Sequence, residues 1–174
     1  MPKQTVDWTI LEVSKSKQEH PTTHAMRELK KAGVDFEVIA YKYQERGGTR
    51  HSAERLGVDE HSMVKTLIME DDRREPIIVL MHGDREVATG LLARAIGVKR
   101  VQPCDPKTAD RHAGYQVGGT APLGTRRAMP VDCQASIAEL PRIYINGGRR
   151  GYIISLATRD LLNVLRPTLV DAAH

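Results

Sequence analysis

The chain has 174 residues and lacks the features of several common protein classes. Its two cysteines, Cys104 and Cys133, belong to no C-x-x-C pair, which argues against a disulfide framework or a cysteine zinc site and favours a reducing compartment. The longest apolar run covers residues 77–81, far short of the roughly 20 residues that span a membrane. The first twenty residues resemble no secretion signal. We therefore expect a cytoplasmic protein that makes no membrane contact.

Generic catalytic signatures are also missing. The sequence contains no G-x-G-x-x-G, G-x-x-x-x-G-K-[ST], G-x-S-x-G or H-E-x-x-H motif, so common nucleotide, serine-hydrolase and zinc sites lack support. His51 and Glu54 lie three positions apart on a predicted helix, but they have no further candidate ligands nearby, and we interpret them as surface residues. We expect no metal and no cofactor.

Aromatic residues are few and the net charge is small. Five tyrosines, one tryptophan and one phenylalanine disfavour a sheet that stacks several RNA bases. The charge is +4, from 26 basic and 22 acidic residues. Basic pairs at 99–100, 126–127 and 149–150 follow glycine-containing turns, a placement that suits a phosphate-bearing partner. Ordinary solvated surface charge explains any single pair equally well.

Hydrophobic periodicity predicts an α+β protein with a mixed, barrel-like sheet and peripheral helices. Apolar positions at helical spacing predict a helix that follows Thr22 or Thr23 and ends at Gly33, and further helices over 49–56, 90–96, 106–112 and 158–165. Strand patterns cover 34–41, 64–70, 75–81, 115–117, 128–133, 142–146 and 152–156. Residues 1–22 show no sustained period and are interpreted as an N-terminal extension, which leaves 23–174 as a single domain.

The segment from Gly118 to Gly124 contains three glycines and a proline in seven residues. This composition predicts a tight irregular turn whose backbone N–H groups can approach a ligand closely, as in a site for a phosphate or a carbonyl oxyanion. A purely structural turn explains the same composition when the segment is taken alone.

Lys65 is the second unusual feature, because it lies near the start of the otherwise apolar stretch Met63–Met69. A lysine with apolar neighbours can point into a cleft and fix a phosphate or a polarised carbonyl. A lysine that protects a sheet edge from aggregation is the structural alternative.

From about Thr23 to Leu165 the chain resembles the YbaK/EbsC family of aminoacyl-tRNA deacylases, whose domain also accompanies prolyl-tRNA synthetases. The resemblance lies in Val64-Lys65-Thr66 and in the G-x-x-x-P-x-G pattern of the glycine-rich segment. Supporting matches are Lys99-Arg100-Val101, the stretch 114–117 and the pattern over 143–151. The resemblance implies a mixed barrel-like sheet with an editing pocket between the lysine strand and the glycine-rich segment.

The resemblance also implies the site residues. It assigns the reaction to Lys65 and to the backbone of Gly118, without a cofactor. Residues expected to contact the substrate are Tyr41, Thr66, Gly119, Thr120, Ala121, Pro122 and Gly124. The implied partner is an aminoacyl-tRNA, and prolyl-tRNA synthetase is a plausible second partner; the sequence indicates no oligomeric state.

The implied reaction is release, in trans, of a mischarged amino acid, with cysteine on tRNA(Pro) as the first expectation. The cysteine deacylases of this family carry an aspartate where this chain has Ile153, and a phenylalanine in the longer loop that corresponds to 47–49. Alanine on tRNA(Pro) is therefore an alternative substrate. A module that binds tRNA or a synthetase without catalysis is the alternative of a different class. Since no serine or cysteine pairs with a histidine in a recognisable motif, the attacking group is expected to be water or the thiol of the substrate.

Overall fold

A computed structural model describes residues 20–174. Within this range the α-helices are α1 (His24–Lys31), α2 (Gly48–Leu56), α3 (Thr89–Ile96), α4 (Pro106–Ala113) and α5 (Thr158–Leu165). The strands are β1 (Phe36–Ala40), β2 (Met63–Asp71), β3 (Pro76–His82), β4 (Val101–Pro103), β5 (Val131–Gln134), β6 (Arg142–Asn146), β7 (Tyr152–Ala157) and β8 (Thr168–Val170). Short 3-10 helices cover Glu60–Ser62 and Ala135–Glu139. The predicted extension 1–22 lies, up to residue 19, outside the described residues.

Local signals in the sequence set the helix ends. The Thr23 hydroxyl accepts a hydrogen bond from the Met26 amide at the start of α1. Asp105 caps α4 in the same way, and Pro106 occupies the first turn, where its missing N–H costs nothing. Gly57 and Gly97 end α2 and α3 in the left-handed conformation, which glycine adopts without steric penalty.

All eight strands of the described residues belong to one mixed sheet. Its order is β1-β7-β6-β2-β3-β5-β8, and β4 pairs with β2 beside β6. The central strand β2 runs antiparallel to β3 and β4 and parallel to β6. The α+β class and the mixed sheet are thus confirmed, and the strand ladder itself is open, with β1 and β8 at its two edges.

Hydrophobic clusters cover both faces of the sheet. Because successive side chains of a strand point to opposite faces, β2 contributes Val64 and Ile68 to the larger cluster, with α1. It contributes Leu67 and Met69 to the second cluster, with α3. This alternation places Lys65 on the α3 face and Thr66 on the α1 face. Within residues 20–174, no helix has the length and apolar character needed to cross a membrane.

The predicted strand over 115–117 is wrong. The Tyr115 hydroxyl donates to the Leu123 carbonyl at 2.6 Å, and the Gly119 amide donates to the Gln116 carbonyl at 2.9 Å. The second bond closes a turn over residues 116–119 and occupies the Gln116 carbonyl, which is therefore unavailable to a strand ladder. Strands β4 and β8 escaped prediction because three residues are too few to show an alternating pattern.

Candidate functional site

The candidate site lies at a break in the pairing along one edge of β2. On this edge β6 pairs with Met63 and Val64, and β4 pairs only from Met69 onward. Residues 65–68 therefore have no partner strand on that side, although the Cys104 amide donates to the Ile68 carbonyl at 3.1 Å. A cavity of about 960 Å³ opens at this break and is lined by all of residues 65–69. A cavity of this size can accommodate a small-molecule group.

Lys65 is held at the cavity by a carboxylate. Its Nζ donates to Oε1 of Glu86 at 3.2 Å, and both residues line the cavity. The side chain of Lys65 is 17% exposed and that of Glu86 is 73% exposed. The backbone of Glu86 exchanges two hydrogen bonds with His174, each of 3.0 Å, so its position is fixed from outside the β2–β3 hairpin. The ammonium is thus oriented while the paired carboxylate stays accessible to water.

Thr66 presents a hydroxyl without a partner. The residue is 8% exposed and lines the cavity, and within residues 20–174 its Oγ1 makes no hydrogen bond. A buried polar group without a partner costs free energy, on the order of 1–3 kcal/mol. Because the oxygen itself is buried, a ligand in the cavity would reach it only after a local rearrangement.

The glycine-rich segment is anchored at the residue that precedes it. Val117 donates its N–H to Oδ1 of Asp110 at 3.0 Å and accepts a bond from Nε of Arg150 at 2.8 Å. Gly118 follows with φ of +95°, and a Cβ atom there would lie 2.6 Å from the Tyr43 hydroxyl oxygen. This φ is strained for residues that carry a side chain, so the position favours glycine.

The two amides of the Gly118-Gly119 pair differ in availability. Within the described chain the Gly118 N–H makes no hydrogen bond, whereas the Gly119 N–H closes the turn onto the Gln116 carbonyl. Of this pair, the Gly118 amide is therefore the one that can still donate to a carbonyl oxygen. Thr120 lines the same cavity, and its hydroxyl lies 3.5 Å from the Gln116 carbonyl oxygen.

The structure brings together five of the nine residues expected at the site. Lining the cavity are Tyr41, Lys65, Thr66, Gly118 and Thr120. The other four have packing environments outside the lining: Gly119 lies against the backbone of 149–150, Gly124 lies against His24, and Ala121 and Pro122 are buried. Their contribution to substrate binding stays a prediction. Ile153, which departs from the family's aspartate, is 1% exposed and packs with Ala53 and Met63.

Two further residues line the cavity: Tyr43, which the sequence analysis missed, and Arg150, which it singled out only as part of a basic pair. The Arg150 guanidinium carbon lies 5.1 Å from the centroid of the Tyr43 ring, within cation–π range. Arg150 therefore contacts both the Tyr43 ring and, through its hydrogen bond to Val117, the residue that precedes the glycine-rich segment. The sequence shows that Arg150 follows the Gly147-Gly148 turn, but it does not show that the turn directs this side chain toward the cavity.

The cavity contains no activated nucleophile among the described residues. Burial, then the nearby Glu70 carboxylate, raises the pKa of Cys104 to about 11, so this thiol stays protonated and weakly nucleophilic at neutral pH. Burial, aided by Tyr43, raises the pKa of Tyr41, which therefore stays a neutral phenol. His51, the histidine of the lining, has its Nε2 2.8 Å from the Lys42 carbonyl oxygen. The arrangement favours stabilisation of charge over covalent catalysis.

One group of residues has the composition of a metal site. Potential ligand atoms of His61, His82 and Asp84 all lie within 4.8 Å of one another. The two imidazole rings are stacked, with centroids 3.7 Å apart and planes inclined by 9°. Ring lone pairs lie in the ring plane, so stacked parallel rings cannot converge on one ion. Both His82 nitrogens are also engaged, by the His61 carbonyl and by Ser136. These residues fit a structural hydrogen-bonded cluster.

Comparisons with known proteins give the family of the chain. The model of the aminoacyl-tRNA editing domain matches residues 48–164. An Enterococcus faecalis protein, provisionally named Cys-tRNA(Pro)/Cys-tRNA(Cys) deacylase EbsC, is 27% identical over 149 residues, which cover 85% of this chain and 91% of that protein. A proline–tRNA ligase of Ligilactobacillus salivarius is 28% identical over 100 residues, 58% of this chain but 17% of the ligase.

Solved structures share the fold. One described as a provisional trans-editing enzyme for prolyl tRNA synthetase superposes with a TM-score of 0.78 at 18% identity, over 89% of this chain and 99% of that one. A second, of a hypothetical protein, gives a TM-score of 0.80 at 22% identity, over 87% of this chain and all of that one.

Proposed function

Because the chain belongs to the aminoacyl-tRNA editing domain family, which includes the YbaK-type deacylases, we propose that it releases a mischarged amino acid from tRNA(Pro) in trans. Cysteine is the proposed amino acid. The similarity to the Enterococcus faecalis protein, whose name specifies cysteinyl-tRNA, supports this choice. The similarity to part of a proline–tRNA ligase supports tRNA(Pro) as the proposed tRNA and makes the synthetase a candidate partner.

The observation that carries the proposal is the shared cavity of Lys65 and Gly118. The lysine comes from β2 and the glycine from the segment after α4, yet both line the opening left between β6 and β4. One supplies a fixed positive charge and the other an available backbone donor. Both groups can stabilise the negative charge that develops when an ester is cleaved.

In the proposed reaction the terminal ester of the tRNA enters the cavity. Lys65 binds a phosphate or ribose oxygen, and the Gly118 amide donates to the ester carbonyl oxygen. Water attacks the carbonyl carbon, the bond to the ribose oxygen breaks, and that oxygen takes up the proton released by the water. With cysteine, the thiol of the substrate can attack the same carbon instead. The new C–S bond replaces the bond to the ribose oxygen, that oxygen takes up the thiol proton, and the amino acid leaves as a cyclic thioester. Charge stabilisation and positioning supply the rate for an ester that is already activated.

The test is a panel of tRNA(Pro) charged with cysteine, alanine or serine, incubated with the wild-type chain, with Lys65→Ala and with Lys31→Ala. Lys31 is an exposed lysine of α1 that lies outside the cavity lining. We expect wild-type protein and the control to release cysteine, and Lys65→Ala to lose about 100-fold or more in rate, the scale of removing one charge-stabilising donor.

Each other outcome has a defined meaning. Preferential release of alanine would correct the amino acid and keep the reaction. Unchanged turnover by Lys65→Ala, with the same melting temperature, would remove Lys65 from the mechanism. No accelerated release from any member of the panel would overturn the deacylase proposal in favour of a binding module.

A further inference from the structure

A second concavity, of about 390 Å³, lies where α3 packs beside β4. Its lining includes Arg94 from the last turn of α3, and Lys99 and Arg100 from the loop that follows. The chain reverses at Gly97, where φ is +75° and where the Val98 amide donates to the Ala93 carbonyl. This reversal brings three cationic side chains, separated in sequence, to one depression.

The second concavity carries an excess of positive charge. No acidic residue lines it among those described, and within residues 20–174 none of its three basic residues forms an ion pair. The neighbouring carboxylate is Asp72, whose Oδ1 accepts the Lys99 backbone amide at 3.0 Å. The three cationic side chains therefore outnumber the one exposed carboxylate at the rim. The depression suits an anion with several oxygen acceptors.

Strands β4 and β2 connect this depression to the cavity at Lys65. Val101 lines the second concavity, and Pro103, two residues later in β4, lines the cavity. Val101 pairs with Asp71 of β2, and Lys65 lies six residues before Asp71. At roughly 3.3 Å per residue this separation is about 20 Å along the strand. One extended polyanion can reach both places.

We infer that Arg94, Lys99 and Arg100 bind a backbone phosphate of the tRNA whose aminoacyl end occupies the cavity at Lys65, an inference that rests on the proposed function. Arginine forks match phosphate oxygens in a bidentate manner, and a phosphate contact adds affinity without reading sequence. The contact holds the acceptor end in register with Lys65 and takes no part in breaking the ester.

The test separates affinity from chemistry. A triple variant, Arg94→Gln/Lys99→Gln/Arg100→Gln, is compared with the wild-type chain and with a charge-matched control, Arg27→Gln/Lys30→Gln/Lys31→Gln. The control residues are exposed on α1, which packs on the opposite face of the sheet. Affinity for uncharged tRNA(Pro) is measured by fluorescence anisotropy over a series of KCl concentrations. Deacylation is measured in a single turnover at saturating enzyme.

We expect the triple variant to bind tRNA about tenfold more weakly, and its plot of log affinity against log salt to be shallower by about one unit per lost phosphate contact. Its single-turnover rate at saturation should equal that of the wild type, and the control should behave as wild type throughout. Unchanged affinity and salt dependence would overturn the inference.

Two further results are decisive against the inference. One is an equal loss of affinity in the α1 control, because general charge would then explain binding. The other is that the wild type binds inorganic phosphate at constant ionic strength and the triple variant does not, while both proteins bind tRNA with equal affinity. If the wild type fails to deacylate any charged tRNA, the proposed function fails, whereas the anisotropy measurement still decides whether this depression binds tRNA.

Discussion

The cavity at Lys65 and the smaller concavity beside β4 differ in the balance of their charges. The cavity at the break in β2 is lined by basic residues at positions 46, 50, 65 and 150 and by acidic residues at 45, 60, 86 and 110. The smaller concavity beside β4 is lined by Arg94, Lys99 and Arg100, with no acidic residue among its described lining. Opposite charges in the first orient one another, as Glu86 orients Lys65. In the smaller concavity, the three positive charges surround an open depression.

This difference separates two requirements of an enzyme that acts on nucleic acid. Chemistry needs one donor and one cation at defined positions, which a balanced and hydrogen-bonded cavity supplies. Affinity for a polyanion needs uncompensated positive charge, whose position can vary by several ångströms. Substitutions in the two concavities should accordingly change different measured quantities.

The largest effect within this comparison is expected from Gly118→Ala. A Cβ atom would lie 2.6 Å from the Tyr43 hydroxyl oxygen, and φ of +95° is strained for alanine. The Gly118 amide would move away from the ester carbonyl, and we expect the single-turnover rate to fall about 100-fold, as when an oxyanion donor is removed. Affinity for uncharged tRNA should stay unchanged, and circular dichroism should show the native fold.

The matched control for this substitution comes from the smaller concavity. Gly90 lies in α3, and a Cβ atom there meets nothing within 4 Å. Gly90→Ala should leave the rate unchanged and raise the free energy of unfolding by about 0.5 kcal/mol, since alanine favours a helix over glycine. A rate for Gly118→Ala within twofold of wild type would show that the glycine-rich segment is only a structural turn.

A smaller effect is expected from Glu86→Gln, which keeps the shape of the side chain and removes its charge. The ammonium of Lys65 would lose its fixed partner, and we expect the single-turnover rate at saturating tRNA to fall about fivefold, because an ion pair with an exposed partner contributes modestly. Loss of a negative charge should leave affinity for tRNA equal or slightly stronger.

Glu75→Gln is the control for this prediction. Glu75 pairs with Arg127 at 2.9 Å, and both side chains are exposed and outside the cavity lining. This variant should leave the rate unchanged. If both substitutions lower the rate equally, or if Glu86→Gln weakens tRNA binding instead of slowing the chemistry, Glu86 does not orient Lys65.

The elements of the fold were largely predictable where glycine, proline and capping residues mark the ends. Strand β6 and helix α5 have the predicted bounds, and α2 begins one residue earlier than predicted. Prediction was wrong at 115–117, where a tyrosine hydroxyl bond to the Leu123 carbonyl overrides a strand-like pattern. A side chain that bonds eight residues ahead has no signature in local periodicity.

The site was predictable only in part, because some of its residues lie in recognisable local patterns and others meet only through the tertiary fold. Val64-Lys65-Thr66 and the glycine-rich segment carry family patterns, and the structure places Lys65 and Gly118 at one cavity. The break between β6 and β4 depends on where two short strands end, which no single segment encodes. Arg150 was predicted as part of a basic pair but not as a cavity residue, since its contacts with Val117 and Tyr43 depend on a tertiary fold that joins three distant segments.

The smallest effect concerns stability and pH, and it arises at the histidine pair between the hairpin and the cavity. Burial lowers the pKa of His82 from its ordinary value of 6.5, although its bond to the His61 carbonyl opposes the shift. The unfolded chain therefore binds a proton more readily than the folded chain. This contribution to stability is fully present above pH 6.5 and is lost as the pH falls through 6.5 toward the lower folded pKa. Asp84 belongs to the same cluster, but its pKa is also lowered, from 3.8, so its effect lies at more acidic pH.

We therefore expect the free energy of unfolding in urea to decrease between pH 7.5 and pH 5.5, and His82→Gln to show a shallower decrease. The exposed His24 supplies the control, because its imidazole meets water in both the folded and the unfolded chain. His24→Gln should retain the pH dependence of the wild type. Equal pH slopes for His82→Gln and the wild type would show that His82 does not couple stability to protonation.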